Sequence, residues 1–214
     1  MLLAYHRTAV EALREPTAAE PLRVLASGCL AGWRCGADES DNGVGAVLTE
    51  LFELPTVRVV PFCPEQHALG TPRATPDIHG GDGVDVLRGR AIVLDDRGVD
   101  VTEKMIDGAR AMLAFAMQHD VEVAILTDMS AACGSQVISD GNRFVSERRY
   151  RKGVGVATAL LLEAGIAVVS QRDLRTLERL RERLDVRHTR RAHLRDHHEH
   201  PWTLAHLPLP HPRR

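Results

Sequence analysis

Four short apolar runs, 22–27 (LRVLAS), 57–62 (VRVVPF), 121–127 (VEVAILT) and 166–170 (IAVVS), constrain this chain more than any other feature. Each has the length and β-branched content of a buried strand. The intervals between them carry helical periodicity. Over 43–54, Val44, Val47, Leu48, Leu51 and Phe52 recur at i, i+3, i+4, i+7 and i+8, with Asp41 placed to cap the helix. Over 102–119, Met105, Ile106, Ala109, Leu113 and Ala116 form one stripe behind the capping residue Thr102. A third helix runs from Gly153 to Gly165, which suits a helix C-terminus. Strands alternating with helices in this order call for a mostly parallel sheet covered on both faces.

The expected fold is therefore α/β, a single three-layer Rossmann-like domain over 22–171. A small hairpin insertion is expected at 84–87 and 91–94, around Arg88-Gly89-Arg90. The stretch 66–83, rich in Gly, Pro and Thr, reads as a long loop of the kind that carries function. Residues 1–21 form an N-terminal extension, and 172–214 a C-terminal helix with a His/Arg/Pro-rich tail. In the helix Leu174, Leu177, Leu180 and Leu184 share a face. His197, His198 and His200 cluster among arginines, and the tail reads as solvated, since aromatic residues make up only 4% of the chain and give nucleic-acid bases little to stack on.

A hydrophobic fraction of 44% and a formal charge of −2 fit one folded core and argue against bulk nucleic-acid binding. His6, Arg7, Glu11 and Arg14 interrupt what would have to be a signal-peptide core, and no run of about 18 apolar residues occurs, so a cytoplasmic protein with no membrane partner is expected.

The cysteines narrow the function. Strands of a parallel sheet all point one way, so the loops leaving their carboxyl ends meet on one rim. Cys29, Cys63 and Cys133 each follow such an end, and Glu65 and Ser130 travel with them. One cysteine alone is as readily a buried filler. Three on one rim, beside Gly28, Pro64 and Gly134, and without a histidine pattern, favour a thiophilic metal: zinc or an iron-sulfur cluster. A thiol nucleophile stands beside these readings. Cys35, on the first loop, is left open between ligand, sulfur acceptor and bystander.

Motifs go further than spacing. Ser27-Gly28-Cys29-Leu30-Ala31-Gly32 with Cys35, Phe62-Cys63-Pro64-Glu65, Thr71-Pro72-Arg73, Asp100-Val101-Thr102, Ser130-Ala131-Ala132-Cys133-Gly134-Ser135, Asp140-Gly141 and the run Gly153 to Leu161 resemble, in order, the blocks of the bacterial 2-thiouracil desulfidase family, also known as domain of unknown function 523. The chain departs from that pattern at Gly36-Ala37-Asp38-Glu39, where the family has Arg-Tyr-Asp-Gly, and at Ala131-Ala132, where it has Pro-Ser. The resemblance implies a 4Fe-4S cluster held by Cys29, Cys63 and Cys133, with Glu65 and Ser130 as catalytic residues. Arg73 and Ser135 are then the expected substrate-binding residues. The implied reaction is hydrolytic, non-redox removal of sulfur from 2-thiouracil or a related small thiolated pyrimidine, with thiolated RNA as another substrate class. The competing reading is a zinc- or thiol-based structural or redox-sensing protein.

Overall fold

The computed structural model describes residue 8, residues 10–41, 43 and 45–207, so the expectations placed on Val44, on residues 1–7 and on the last seven residues lie outside it. In chain order the elements are β1 (Leu22–Ser27), α1 (Ala46–Phe52), β2 (Val57–Phe62), α2 (Pro64–Leu69), β3 (Pro76–His79), α3 (Gly83–Leu87), β4 (Ile92–Asp95), α4 (Thr102–Gln118), β5 (Val123–Leu126), β6 (Val137–Ser139), β7 (Tyr150–Lys152), α5 (Val156–Glu163), β8 (Ala167–Ser170), α6 (Leu174–Leu184) and α7 (Pro201–His206). Short 3-10 turns occupy Gly28–Ala31 and His197–Glu199.

The four apolar runs make the central sheet, all parallel, in the order β2-β1-β5-β8. Period-two alternation divides their side chains between two cores. Leu22, Val24, Val123, Ile125 and Val169 pack with Val47, Leu48 and Leu51 of α1 and Leu177 and Leu180 of α6. Leu25, Ala124, Leu126 and Val168 face the other way, against Met105, Ala109 and Met112 of α4 and Ala157 and Leu161 of α5. That is the three-layer α/β architecture the pattern demands. Helix α4 sits close on α2 because position 108 is glycine: a Cβ there would lie 2.4 Å from the Pro64 carbonyl oxygen.

Several local expectations change. The stretch 66–83 holds most of α2, with Pro64 in its first turn, and the strand β3. The small antiparallel pairs are β3 with β4 and β6 with β7. Residues 83–87, expected as one arm of a hairpin, are instead helical. Asp82 accepts the amides of Val84 and Asp85, and Asp85 accepts the amide of Asp82, a reciprocal cap that outweighs the Val-Asp-Val alternation. The start of α1 also differs: Asp41 accepts the Gly43 amide in a turn, and Gly45 holds the N-cap position.

The C-terminal segment is not a solvated tail. Glu178 of α6, its side chain only 1% exposed, binds Arg191 at 2.6 Å and His188 at 3.1 Å, and Arg191 also reaches Glu50 of α1 at 2.8 Å. His197 is 2% exposed. The basic composition that suggests solvation is matched by carboxylates supplied from elements far away in sequence. No helix among the described residues is long and apolar enough to cross a membrane.

Candidate active site

β1 and β5 are neighbours, while the chain runs outward from β1 to β2 on one side and from β5 to β8 on the other. Their carboxyl ends therefore flank the crevice where the connection reverses direction, the usual ligand position in a doubly wound sheet. Ser27 closes β1 and accepts the Thr127 amide at 3.0 Å, and Cys29 Sγ lies 3.0 Å from Thr127 Oγ1.

A cavity of about 710 Å³ opens at this rim, and Cys29, Cys35, Cys63 and Cys133 all line it, together with Glu65 and Ser130. Its lining contains no histidine. The structure thus brings together the three cysteines predicted from the strand ends and adds Cys35, which is 2% exposed and shares thiol hydrogen bonds with Cys29 and Cys63. Those bonds, with burial, push the Cys35 thiol far up. Cys63 moves the other way. The Cys35 thiol donates to it, and although burial opposes, the Gln66 amide at 3.4 Å and nearby Arg73 help hold it below the ordinary thiol value. Burial raises Cys133, and the charge on Cys63 raises it further.

Beside the sulfurs runs a chain of three polar side chains. Glu65 Oε2 pairs with Arg73 Nη2 at 2.7 Å, and Glu65 Oε1 accepts from Ser130 Oγ at 2.8 Å. Ser130 Oγ itself accepts the amides of Ala132 at 3.1 Å and Cys133 at 2.9 Å. With both lone pairs engaged, its hydroxyl hydrogen is committed to Glu65. Arg73 is anchored in turn by the Cys35 carbonyl at 3.0 Å and the Gly70 carbonyl at 3.0 Å. Each of the three residues thereby touches a cysteine-bearing loop or its backbone.

Ser135 is placed differently. It is fully buried beneath the loop, donates its amide to Asp128 at 2.9 Å, and is absent from the cavity lining. Arg143 does line the cavity, paired with buried Asp77 at 2.6 Å. In sequence it follows Asp140-Gly141-Asn142, which reads only as a turn, and nothing local marks Asp77 as its partner.

The profile of the 2-thiouracil desulfurase family matches residues 24–173, which include every strand of the sheet and all four cysteines in whole or greater part. The chain belongs to that family. The uncharacterized Bacillus subtilis protein YbbK is 37% identical over 153 residues, 71% of this chain and 97% of its own length. Among solved structures, a [4Fe-4S]-dependent thiouracil desulfidase, TudS (DUF523Vcz), superposes with a TM-score of 0.59 at 28% identity, covering 70% of this chain and 91% of that one. The family match stops at residue 173, so α6 and the docked C-terminal segment are additions to the matched region.

The donor set fits an iron-sulfur cluster. Four cysteines and no histidine among the lining residues form a soft, all-thiol set. Structural zinc closes its ligands around a single ion, whereas these thiols border a cavity with space for far more than one ion.

Proposed function

We propose that this protein is an iron-sulfur-dependent desulfidase that removes sulfur from 2-thiouracil or a related thiolated pyrimidine and releases hydrosulfide. The observation that carries this reading is the meeting of Cys29, Cys63 and Cys133 with the chain Arg73–Glu65–Ser130 on one cavity. Cys29, Cys63 and Cys133 would hold a 4Fe-4S cluster. When bound, such a cluster supplies a soft Lewis acid that polarises a thiocarbonyl group.

The protein's own groups then handle the water and the protons. Glu65 is the general base. Its Oε2 is tied to Arg73, and Oε1, which accepts the Ser130 hydroxyl, keeps a second lone pair to take a proton from water attacking the carbon that bears sulfur. The same oxygen returns that proton to the departing sulfur or to the ring nitrogen. Ser130 keeps the carboxylate in place between these transfers. Water contributes the oxygen that replaces sulfur and two hydrogens, so thiocarbonyl plus water becomes carbonyl plus hydrogen sulfide with no electron donor. Arg73 fixes the base through its salt bridge, with its Nη hydrogens taken by Gly70, Thr71, Cys35 and Glu65.

A second substrate class is favoured by one feature. The exposed Arg148 and Arg172 line the cavity, and its volume exceeds that of a free pyrimidine, which suits a thiolated base carried on RNA. The test is anaerobic purification with iron and sulfide analysis, followed by sulfide release from 2-thiouracil and from thiolated RNA. Iron-loaded protein that releases sulfide from the free base supports the small-molecule reading, and preference for RNA supports the second. Colourless, zinc-loaded protein that releases none overturns both.

A further inference from the structure

We infer that the C-terminal segment, residues 186–207, is a positioning element of the active site, acting through His197 on the loop that carries Ser130 and Cys133. This inference rests on the cavity being the desulfidase site. It extends that reading to a part of the chain beyond the family match.

Asp128 is the hub. It lies two residues beyond β5 and is almost wholly buried. Its Oδ1 accepts the amides of Met129, Ser135, Gln136 and Val137 at 2.9 to 3.1 Å. Those bonds draw both ends of the loop 128–137 onto one oxygen, and Ser130 and Cys133 stand on the arc between. The other oxygen, Oδ2, accepts Ser170 Oγ at 3.2 Å and lies 2.7 Å from His197 Nδ1. A carboxylate this deep depends on its donors, because removing one leaves a desolvated charge unbalanced.

His197 is itself held in place. Asp196, the residue before it, accepts the Thr176 amide at 2.8 Å and the Thr176 hydroxyl at 2.9 Å, both from α6. The His197 amide donates to Asp173 at 3.0 Å, and Glu199 binds Arg175 at 2.5 Å. The imidazole stacks on Trp202 of α7, with ring centroids 6.3 Å apart at 16°. Trp202 in turn meets Tyr150 of β7 edge-on at 4.8 Å, and Tyr150 lines the cavity. The segment therefore grips the site at two places, the loop after β5 through His197 and the strand β7 through Trp202, the two rings stacked on each other. A tail with no part in the site would need neither.

The test compares His197→Ala, His197→Asn and Trp202→Leu with the wild-type full-length holoprotein. Asn places a side-chain amide near the Nδ1 position and retains the donor to Asp128. Loss of a charged hydrogen bond at this depth predicts a fall of about tenfold or more in kcat for His197→Ala. His197→Asn is expected to restore most of it. Hydrogen exchange gives a readout that does not depend on turnover: in His197→Ala the amides of 129–137 should exchange at least about tenfold faster, while those of α4 keep their wild-type protection. Trp202→Leu should raise KM more than it lowers kcat, since it loosens the wall at Tyr150. If the wild-type protein releases no sulfide, the functional reading fails and the exchange measurement still decides the positioning role. Unchanged exchange in 129–137 overturns the inference, as does equal loss of activity in His197→Ala and His197→Asn with exchange rising throughout the chain.

Discussion

Ser130 Oγ lies 2.8 Å from Glu65 Oε1 although 65 residues separate them, and the hydroxyl has no other direction in which to donate. Glu65→Gln keeps the shape of the side chain and removes the base, so kcat for sulfide release should fall by about 10²- to 10⁴-fold with iron content unchanged. Ser130→Ala should cost less, about tenfold to a hundredfold, because the base survives but loses its orienting bond and the Ala132 and Cys133 amides lose their acceptor. Steady-state kinetics on anaerobic protein measures both, and a Glu65→Gln enzyme at full rate would remove Glu65 from the mechanism.

The thiols carry a second prediction, about cluster assembly. Burial holds Cys133 in its protonated form at neutral pH, with the Cys63 charge adding to the effect, while Cys63 is shifted toward the thiolate. Ligation requires deprotonated sulfur, so loading must release protons and should become more complete as pH rises from about 6.5 to 8.5. Iron per chain after anaerobic reconstitution at several pH values is the measurement, and a flat profile would count against Cys133 as a ligand. Cys29→Ser, Cys63→Ser and Cys133→Ser should each lose the cluster. Cys35→Ser should keep it, since the other three are the thiols delivered from the ends of three different strands.

The central sheet is legible because β1, β5 and β8 are buried almost throughout and read as apolar runs, and the edge strand β2, though mostly half-buried, keeps the same apolar character. The rim follows from the sheet, which is why Cys29, Cys63, Cys133, Glu65 and Ser130 are recoverable from sequence. Cys35 is harder: its approach to Cys29 and Cys63 depends on how the turn after Gly28–Ala31 folds back, and no periodicity encodes that. The helix at 83–87 is concealed because its signal is a cap made by Asp82 and Asp85, whereas the apolar pattern alternates. The C-terminal segment is concealed for an electrostatic reason. Its basic and imidazole groups meet Glu50, Asp128 and Glu178, and the His197 amide meets Asp173, partners that only the tertiary fold brings within reach.

Gly155 offers a steric test of the loop geometry. A Cβ at this position would lie 2.4 Å from both the carbonyl carbon and the oxygen of Ala132, and 2.8 Å from the Ala131 oxygen. Its φ of −73° suits any residue, so the constraint is space alone. Gly155→Ala must push the backbone next to Cys133 outward, at a cost of about 1–3 kcal/mol. Thermal unfolding should register the destabilisation and iron analysis a partial loss of cluster. A variant with wild-type stability and full iron would show that the loop yields without consequence.

Docking of the C-terminal segment should weaken toward both acid and alkali. Burial raises the Glu178 carboxyl, but the side-chain and backbone donors of Arg191, with His188, outweigh it and bring the group from 4.5 down to about 2. A carboxyl lowered on folding contributes stability that is complete above 4.5 and disappears as pH falls toward 2. Asp173 behaves oppositely: burial, reinforced by the neighbouring Asp196 charge, raises it from 3.8 to about 8. Its contribution is complete below 3.8 and is lost progressively as pH rises through 8. Both groups hold the segment, Glu178 through Arg191 and Asp173 through the His197 amide, so these two residues together favour docking most near pH 4. Trp202 fluorescence in a Trp33→Phe background should report release on either side. Glu178→Gln should flatten the acid limb and Asp173→Asn the alkaline one, whereas a signal constant from pH 3 to 9 would mean that neither carboxyl governs the contact.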